Sequence, residues 1–253
     1  MGNITVRNVT IGEGIPKICL PIVGRTEEEI LIQTKEAVGL KPDLIEFRAD
    51  WYTYHDQEDK VKHIVKQMRE YMGDIPLLFT FRTKAEGGEQ ELSFEQYSRL
   101  NLWAAESGYV DLADVEAFFA QADTKKLIAG IRERNVAVVA SNHNFSETPS
   151  VEEMIRRLRT MEELGADIAK IAVMPRGRTD VLHLLEATNN CGLHIPVITM
   201  SMAKDGAISR MCGEVFGSAV TFGSAGNASA PGQIPIEELQ TVLQIIHKSM
   251  KES

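Results

Sequence analysis

The constraint that most narrows the fold is a strict alternation, repeated eight times, of short apolar runs with longer amphipathic ones. The apolar runs Lys17–Val23, Leu44–Arg48, Pro76–Arg82, Tyr109–Val115, Val136–Ala140, Gly165–Pro175, Pro196–Ser201 and Ala219–Phe222 read as strands. Helices are expected between them. Thr26-Glu27-Glu28-Glu29, Ser93-Phe94-Glu95-Gln96 and Ser150-Val151-Glu152-Glu153 are capping boxes, in which a hydroxyl and a side chain three residues on satisfy each other's backbone N–H groups. Asp56, Asp123 and Thr179 are the expected caps of three more helices. A seventh spans roughly Ile208 to Phe216, and Pro235 opens a last one from Ile236 to about Met250. This alternation over roughly 230 residues predicts an α/β fold, a (β/α)8 TIM barrel forming one domain over residues 1–253. Ile4 to Gly14, ending in Gly-Glu-Gly, predicts a short N-terminal β-hairpin. Pro21 predicts an edge or bulge near the end of the first strand. The alternative, a doubly wound open sheet, lacks a Gly-x-Gly-x-x-Gly after the first strand.

A barrel covers both faces of its sheet, so charged strand faces must line its interior. Glu46, Arg48 and Asp50 share one face of the second strand, opposite Ile45 and Phe47. Thr80 and Arg82 share a face of the third, and Leu112, Asp114 and Glu116 a face of the fourth. Glu86 follows Arg82 in a loop made adaptable by Gly87-Gly88. His143 lies just beyond the fifth strand, in Ser141-Asn142-His143-Asn144. Glu46, Arg48, Arg82, Glu86, Asp114, His143 and Lys170 all lie at or near the C-terminal mouth of such a barrel, where these folds carry their active sites.

Lys170 is the most informative of them. It shares its strand face with Ile168, Ala172 and Met174, where an ammonium is costly to desolvate. Shedding the proton relieves that cost and leaves an amine able to attack ketones and form imines. The bland alternatives remain open from the residues alone: an ion-paired lysine and a structural histidine.

The net charge of −9 argues against nucleic acid or an anionic membrane as partner. No apolar run reads as a signal peptide or a membrane span. Cys19, Cys191 and Cys212 are scattered, with neither disulfide nor metal-site spacing, so a reducing cytoplasm and no metal are expected.

Glu46-Phe47-Arg48-Ala49-Asp50, Phe79-Thr80-Phe81-Arg82, Glu86-Gly87-Gly88-Glu89, Ser141-Asn142-His143-Asn144-Phe145, Lys170-Ile171-Ala172-Val173-Met174-Pro175, Thr199-Met200-Ser201-Met202, Ile208-Ser209-Arg210 and Ser229-Ala230-Pro231-Gly232-Gln233 together resemble the type I 3-dehydroquinate dehydratases. The resemblance runs nearly end to end. It implies a cofactor-free, dimeric barrel of the shikimate pathway that removes water from 3-dehydroquinate by syn elimination. It further implies that Lys170 forms the imine, that His143 moves the protons and that Glu86 orients His143. Glu46, Arg48, Arg82, Arg210, Ser229 and Gln233 would bind substrate, with Arg210 on its carboxylate, and Asp114 would hold Arg48 or Arg82 in place. The loop from Gly223 to Gln233 is expected to close over the ligand. Many members carry Trp, Val, Asp and Pro where Phe47, Ala49, Asn144 and Ala169 stand, none of them a catalytic position.

Two other readings compete. A class I aldolase or transaldolase also uses a strand lysine, but usually on phosphorylated sugars. From Met211 through His247 there is no Lys or Arg, which leaves backbone N–H groups alone for a phosphate near strands seven and eight. A barrel reused as a binding module would leave Lys170 and His143 unexplained together.

Overall fold

The computed structural model describes residues 2–226 and 232–251. A two-stranded antiparallel hairpin, β1 (Ile4–Val6) and β2 (Val9–Ile11), precedes the main sheet. The chain then runs β3 (Lys17–Ile22), α1 (Glu27–Gly39), β4 (Leu44–Arg48), α2 (Glu58–Met72), β5 (Leu77–Thr80), a 3-10 turn at Lys84–Glu86, α3 (Phe94–Glu106), β6 (Leu112–Glu116) and α4 (Gln121–Arg132). It continues β7 (Ala137–Asn144), α5 (Val151–Glu163), β8 (Ile168–Val173), α6 (Arg178–Asn190), β9 (Val197–Ser201), α7 (Ala207–Met211), α8 (Gly213–Phe216), β10 (Val220–Ser224), β11 (Ile234–Pro235) and α9 (Ile236–Lys251).

Strands β3 to β9 pair in sequence order, all parallel, and β10 pairs with β3. The seam between β9 and β10 is narrower. There the Ala219 N–H donates to the Val197 carbonyl at 2.8 Å and the Thr199 N–H to Ser218 Oγ at 3.0 Å. The sheet thus curls into the expected barrel, with β11 added alongside β10.

Period-two alternation sorts the side chains. Ile45, Phe47, Leu77, Phe79, Ala113 and Val115 point outward into a core shared with the surrounding helices, and Ala169, Ile171 and Val173 do the same against α5 and α6. Cys19, Leu44, Leu78, Leu112, Val139, Ile168, Ile198 and Val220 point inward and fill the lower barrel. Val6 and Ile11 of the hairpin pack onto this layer and plug its floor. Burying each such aliphatic side chain contributes about 1.5–3 kcal/mol. Toward the C-terminal end the inward positions turn polar, and the site begins there.

Several boundaries differ from expectation. β3 runs through Pro21 without a bulge, in register with β4 to Ile22. Odd-numbered residues of β3 direct their backbone groups toward β10, whose pairing stops at Cys19, so the missing proline N–H falls beyond the end of that ladder. β7 extends to Asn144, because β8 pairs with it as far as Asn144↔Val173; His143 is therefore in the strand rather than beyond it. Thr26 and Ser93 form their capping boxes. Ser150 caps α5, but Glu153 turns to Arg156 and Arg157 instead of back to the cap. Asp56 does not cap α2, which begins after Gln57 because a tight turn, Gln57 N–H to Tyr54 carbonyl, occupies the approach. Asp123 and Thr179 lie inside the first turns of α4 and α6. At α6 the Asp180 carboxylate reaches back to the Arg176 N–H at 2.7 Å and serves the cap from within. The expected helix at Ile208–Phe216 breaks at Cys212 into α7 and α8, and Gly217 ends α8 at φ 101°, a backbone state open mainly to glycine.

Candidate active site

Lys170 and His143 project from neighbouring strands into one cavity. β7 and β8 pair Ser141 with Lys170 and His143 with Ala172, so the two side chains share the inner face one step apart along the barrel axis. Lys170 is 3% exposed. Its Nζ lies 3.4 Å from Asp114 Oδ2 and 4.4 Å from the centre of the Phe222 ring. The apolar neighbours read along the strand are therefore only half of its surroundings. Asp114, from β6, two strands away, supplies a carboxylate that balances a cation at Nζ, whether ammonium or iminium.

Asp114 also binds Arg82, Oδ1 to Nη2 at 2.8 Å, and accepts from Ser141 Oγ at 2.6 Å. Burial pushes Asp114 up, but Arg82 and Lys170 outweigh it and hold the carboxyl below its ordinary value. Asp114 thus holds Arg82 and Lys170. Arg48 is held elsewhere, by a two-pronged bond to Asp50, Nε to Oδ1 and Nη2 to Oδ2, each 2.9 Å. Burial opposes the charge of Arg82, yet Asp114, Glu116 and Glu86 more than offset it and keep the guanidinium charged. Its Nη1 reaches Glu116 Oε1 at 3.1 Å and Ser141 Oγ at 3.0 Å.

Glu86 sits at the end of the 3-10 turn, with Gly87 behind it in the left-handed conformation at φ 86°. A Cβ at Gly87 would run into the Phe145 ring at 2.3 Å, so the turn needs glycine there twice over. Glu86 Oε2 accepts from the His143 backbone N–H at 2.9 Å and meets His143 Nδ1 at 3.0 Å. Burial, opposed by Arg82 and reinforced by Glu116, pushes Glu86 up to about 7. Burial also holds His143 well below its ordinary value, helped by Arg82, Lys170 and Arg48. The imidazole is therefore neutral at rest. With Glu86 ionised, Nδ1 carries the proton and Nε2 is the basic nitrogen.

Glu46 is buried and accepts from Thr80 Oγ1 at 2.8 Å. Arg210, on α7, is 2% exposed and lines the same cavity. Burial draws its guanidinium down to about 10, still cationic at neutral pH. Its Nη1 lies 3.4 Å from the Phe222 carbonyl oxygen. Gln233 lines the cavity beside β11. Ser229 and the middle of the expected closing loop lie outside the described residues. Among the described residues no three His, Cys, Asp or Glu side chains are grouped as metal ligands.

The cavity thus gathers Glu46, Arg48, Arg82, Glu86, His143, Lys170, Arg210 and Gln233. It also involves residues not singled out from the sequence as site members. Asp50 and Glu116 were visible on their strand faces but not their roles: Asp50 anchors Arg48, and Glu116 binds Arg82 and the Thr83 N–H. Trp51 and Phe222 form part of the wall. Arg157, on an outer helix, gave no signal at all; only folding brings it to Asn142.

Known proteins resemble this chain over nearly its whole length. A family model described as type I 3-dehydroquinase matches residues 18–250. The 3-dehydroquinate dehydratase of Clostridioides difficile (strain 630) is 47% identical over 250 residues, covering 98% of this chain and 98% of that protein. The protein of the same name from Bacillus velezensis is 49% identical over 253 residues, covering 99% of this chain and 100% of its own. A crystal structure of type I 3-dehydroquinate dehydratase from Clostridium difficile with covalently modified comenic acid matches with a TM-score of 0.95 at 47% identity, covering 98% of this chain and 100% of that one. Likeness of this extent, in sequence and in backbone, places the chain: it belongs to the type I 3-dehydroquinase family.

Proposed function

We propose that the chain, as a single barrel domain, converts 3-dehydroquinate to 3-dehydroshikimate through an imine on Lys170, as a step of the shikimate pathway. The observation that carries the reading is the shared cavity: a buried amine beside a carboxylate, and a neutral histidine whose Nδ1 is held by Glu86. Its relatives' names supply the substrate.

The chemistry follows from the substrate's weak point. Its α proton is a poor acid until the ketone becomes an iminium able to accept the carbanion's electrons. Lys170 passes a proton to His143 Nε2 and its Nζ adds to the ketone carbon; His143 returns that proton to the carbinolamine hydroxyl, which leaves as water and gives the iminium, whose positive charge faces Asp114. His143 Nε2 takes the α proton, leaving an enamine. The imidazolium, steadied by Glu86 at Nδ1, then protonates the departing β hydroxyl from the same side, which makes the elimination syn. Water finally releases the conjugated ketone and the free lysine. Arg210, a cation held in a dry wall, suits the substrate carboxylate, because a bound anion offsets the cost of its burial. Arg48, Arg82, Glu46 and Gln233 are assigned to the carboxylate and the ring hydroxyls.

Borohydride tests the intermediate. Reduction in the presence of 3-dehydroquinate is expected to inactivate the enzyme and add the reduced ligand's mass to the peptide containing Lys170. Label on another lysine, or none, defeats the assignment. A conjugated enone appearing in the ultraviolet without trapping would keep the dehydration and discard the imine.

A further inference from the structure

We propose that Asn142 and Arg157 are positioning residues that hold the Glu86–His143 pair from outside the cavity, an assignment that rests on the reading of His143 as the proton-transfer group. Neither side chain lines the cavity. Asn142 precedes His143 in β7, and Arg157 lies on α5.

The two oxygens of Glu86 are served differently. Oε2 faces the His143 N–H, the His143 ring and Arg82. Oε1 accepts from Asn142 Nδ2 at 2.9 Å. Asn142 Oδ1 in turn accepts from Arg157 Nη1 at 2.9 Å. A guanidinium has five donors and no acceptor, so only the amide oxygen can face it. That fixes the amide the other way round at its far end: its NH2 must face Glu86. Without Arg157 the amide is free to turn over and set an oxygen against a carboxylate. Arg157 is itself anchored by Glu153, Nε to Oε1 at 2.7 Å. The relay therefore runs from helix α5 through β7 to the carboxylate and ends on the imidazole.

The consequence lies in the tautomer. A carboxylate pinned at both oxygens keeps Nδ1 protonated and Nε2 free as base. The groups facing Glu86 are Arg82, which follows β5, Glu116 of β6, and Asn142 and His143 of β7, with the charge of Arg157 one residue behind. Arg82 and the hydrogen bonds from Asn142 and the His143 backbone favour the ionised form; Glu116 and burial oppose it. Removing the amide leaves Arg82 and the backbone and ring N–H groups of His143, all on Oε2, against that opposition, so Glu86 protonates at higher pH.

The test compares pH profiles of kcat/KM for 3-dehydroquinate. Asn142→Ala is expected to lower kcat more than it raises KM and to move the acid limb upward by about one unit, the worth of one hydrogen bond to the charged form. Arg157→Ala should move it in the same direction, and Arg157→Lys, which still donates to Oδ1, should restore it. The double variant Asn142→Ala/Arg157→Ala should be no worse than Asn142→Ala alone, since both act through one contact. Arg156→Ala, which removes a partner of Glu153 without touching Asn142, should match wild type. An unmoved acid limb in Asn142→Ala, or additive losses in the double variant, overturns the proposal. Ring 15N NMR of His143 at neutral pH reads the tautomer without turnover and separates this proposal from the functional one. A wild type that shows the Nδ1–H tautomer but no dehydration sinks the function alone. An unchanged tautomer in both Asn142→Ala and Arg157→Ala sinks the relay alone.

Discussion

At the scale of single residues the site is an exercise in placing charges that would each be unstable alone. Lys170, Arg82 and Asp114 are buried together, and the carboxylate answers both cations. His143 stays neutral because burial and three nearby cations oppose a fourth charge. Glu86 is the titrating member, near 7. The sign of the pH dependence follows. As pH falls through about 7, Glu86 takes a proton and no longer accepts from Nδ1, so the imidazole loses the tautomer that makes Nε2 a base. kcat/KM is therefore expected to fall below about pH 7. Glu86→Gln removes that titration: the acid limb should move to lower pH, toward the depressed titration of His143 itself. The same change should lower kcat roughly tenfold, since a neutral amide supports the imidazolium less than a carboxylate does. A limb that stays in place in Glu86→Gln would assign it to another group.

At the scale of elements, the ends of β4 and β5 are tied to each other through Asp50. This fully buried carboxylate holds Arg48 by two bonds, accepts from the Arg82 N–H at 3.3 Å and accepts from the Glu89 N–H at 3.2 Å. One side chain thus fixes the ends of two strands and the loop that follows. Asp50→Asn turns one acceptor into a donor facing a guanidinium or a backbone N–H. Breaking such a buried pair costs about 3–5 kcal/mol, so thermal denaturation should show a clear loss of stability. KM should rise as Arg48 loses its anchor. A variant as stable as wild type with unchanged KM would show that the tie is not needed. Strand alternation in the sequence placed Asp50 on the correct face beside Glu46 and Arg48, but left open whether Asp114 would hold Arg48 or Arg82; it holds Arg82, and Arg48 pairs with Asp50. The pairing depends on how far β4 advances against β6, and that stagger is a property of the closed sheet.

At the scale of the whole molecule the barrel divides its tasks between its two ends. The C-terminal mouth holds the polar cavity, while the hairpin β1–β2 seals the other end with Val6 and Ile11. Ile11 is fully buried. Ile11→Ala is expected to cost about 2–5 kcal/mol in denaturant unfolding, through lost burial and the cavity left behind. It should leave kcat and KM at wild-type levels, because the floor carries stability and the mouth carries chemistry. An altered kcat in a folded Ile11→Ala enzyme would show that the floor communicates with the site.

The sequence by itself determined the architecture and which polar side chains line its cavity. Eight strand–helix alternations leave few folds open, and period two decides which charged side chains face inward, so Glu46, Arg48, Arg82, Asp114 and Lys170 were legible together. Local hydrogen-bond chemistry likewise placed the caps at Thr26, Ser93 and Ser150, where donor and acceptor lie within one turn. What tertiary structure decided is everything that depends on stagger and distance. β7 extends through His143 because β8 is there to pair with it. Pro21 is tolerated inside β3 because the β10 ladder has already ended. Lys170 meets a carboxylate 56 residues away, and Arg157 reaches Asn142 from an outer helix. Such pairings join residues with no local periodicity in common, so no window of sequence contains them; they exist only once the sheet has closed and set its strands in register.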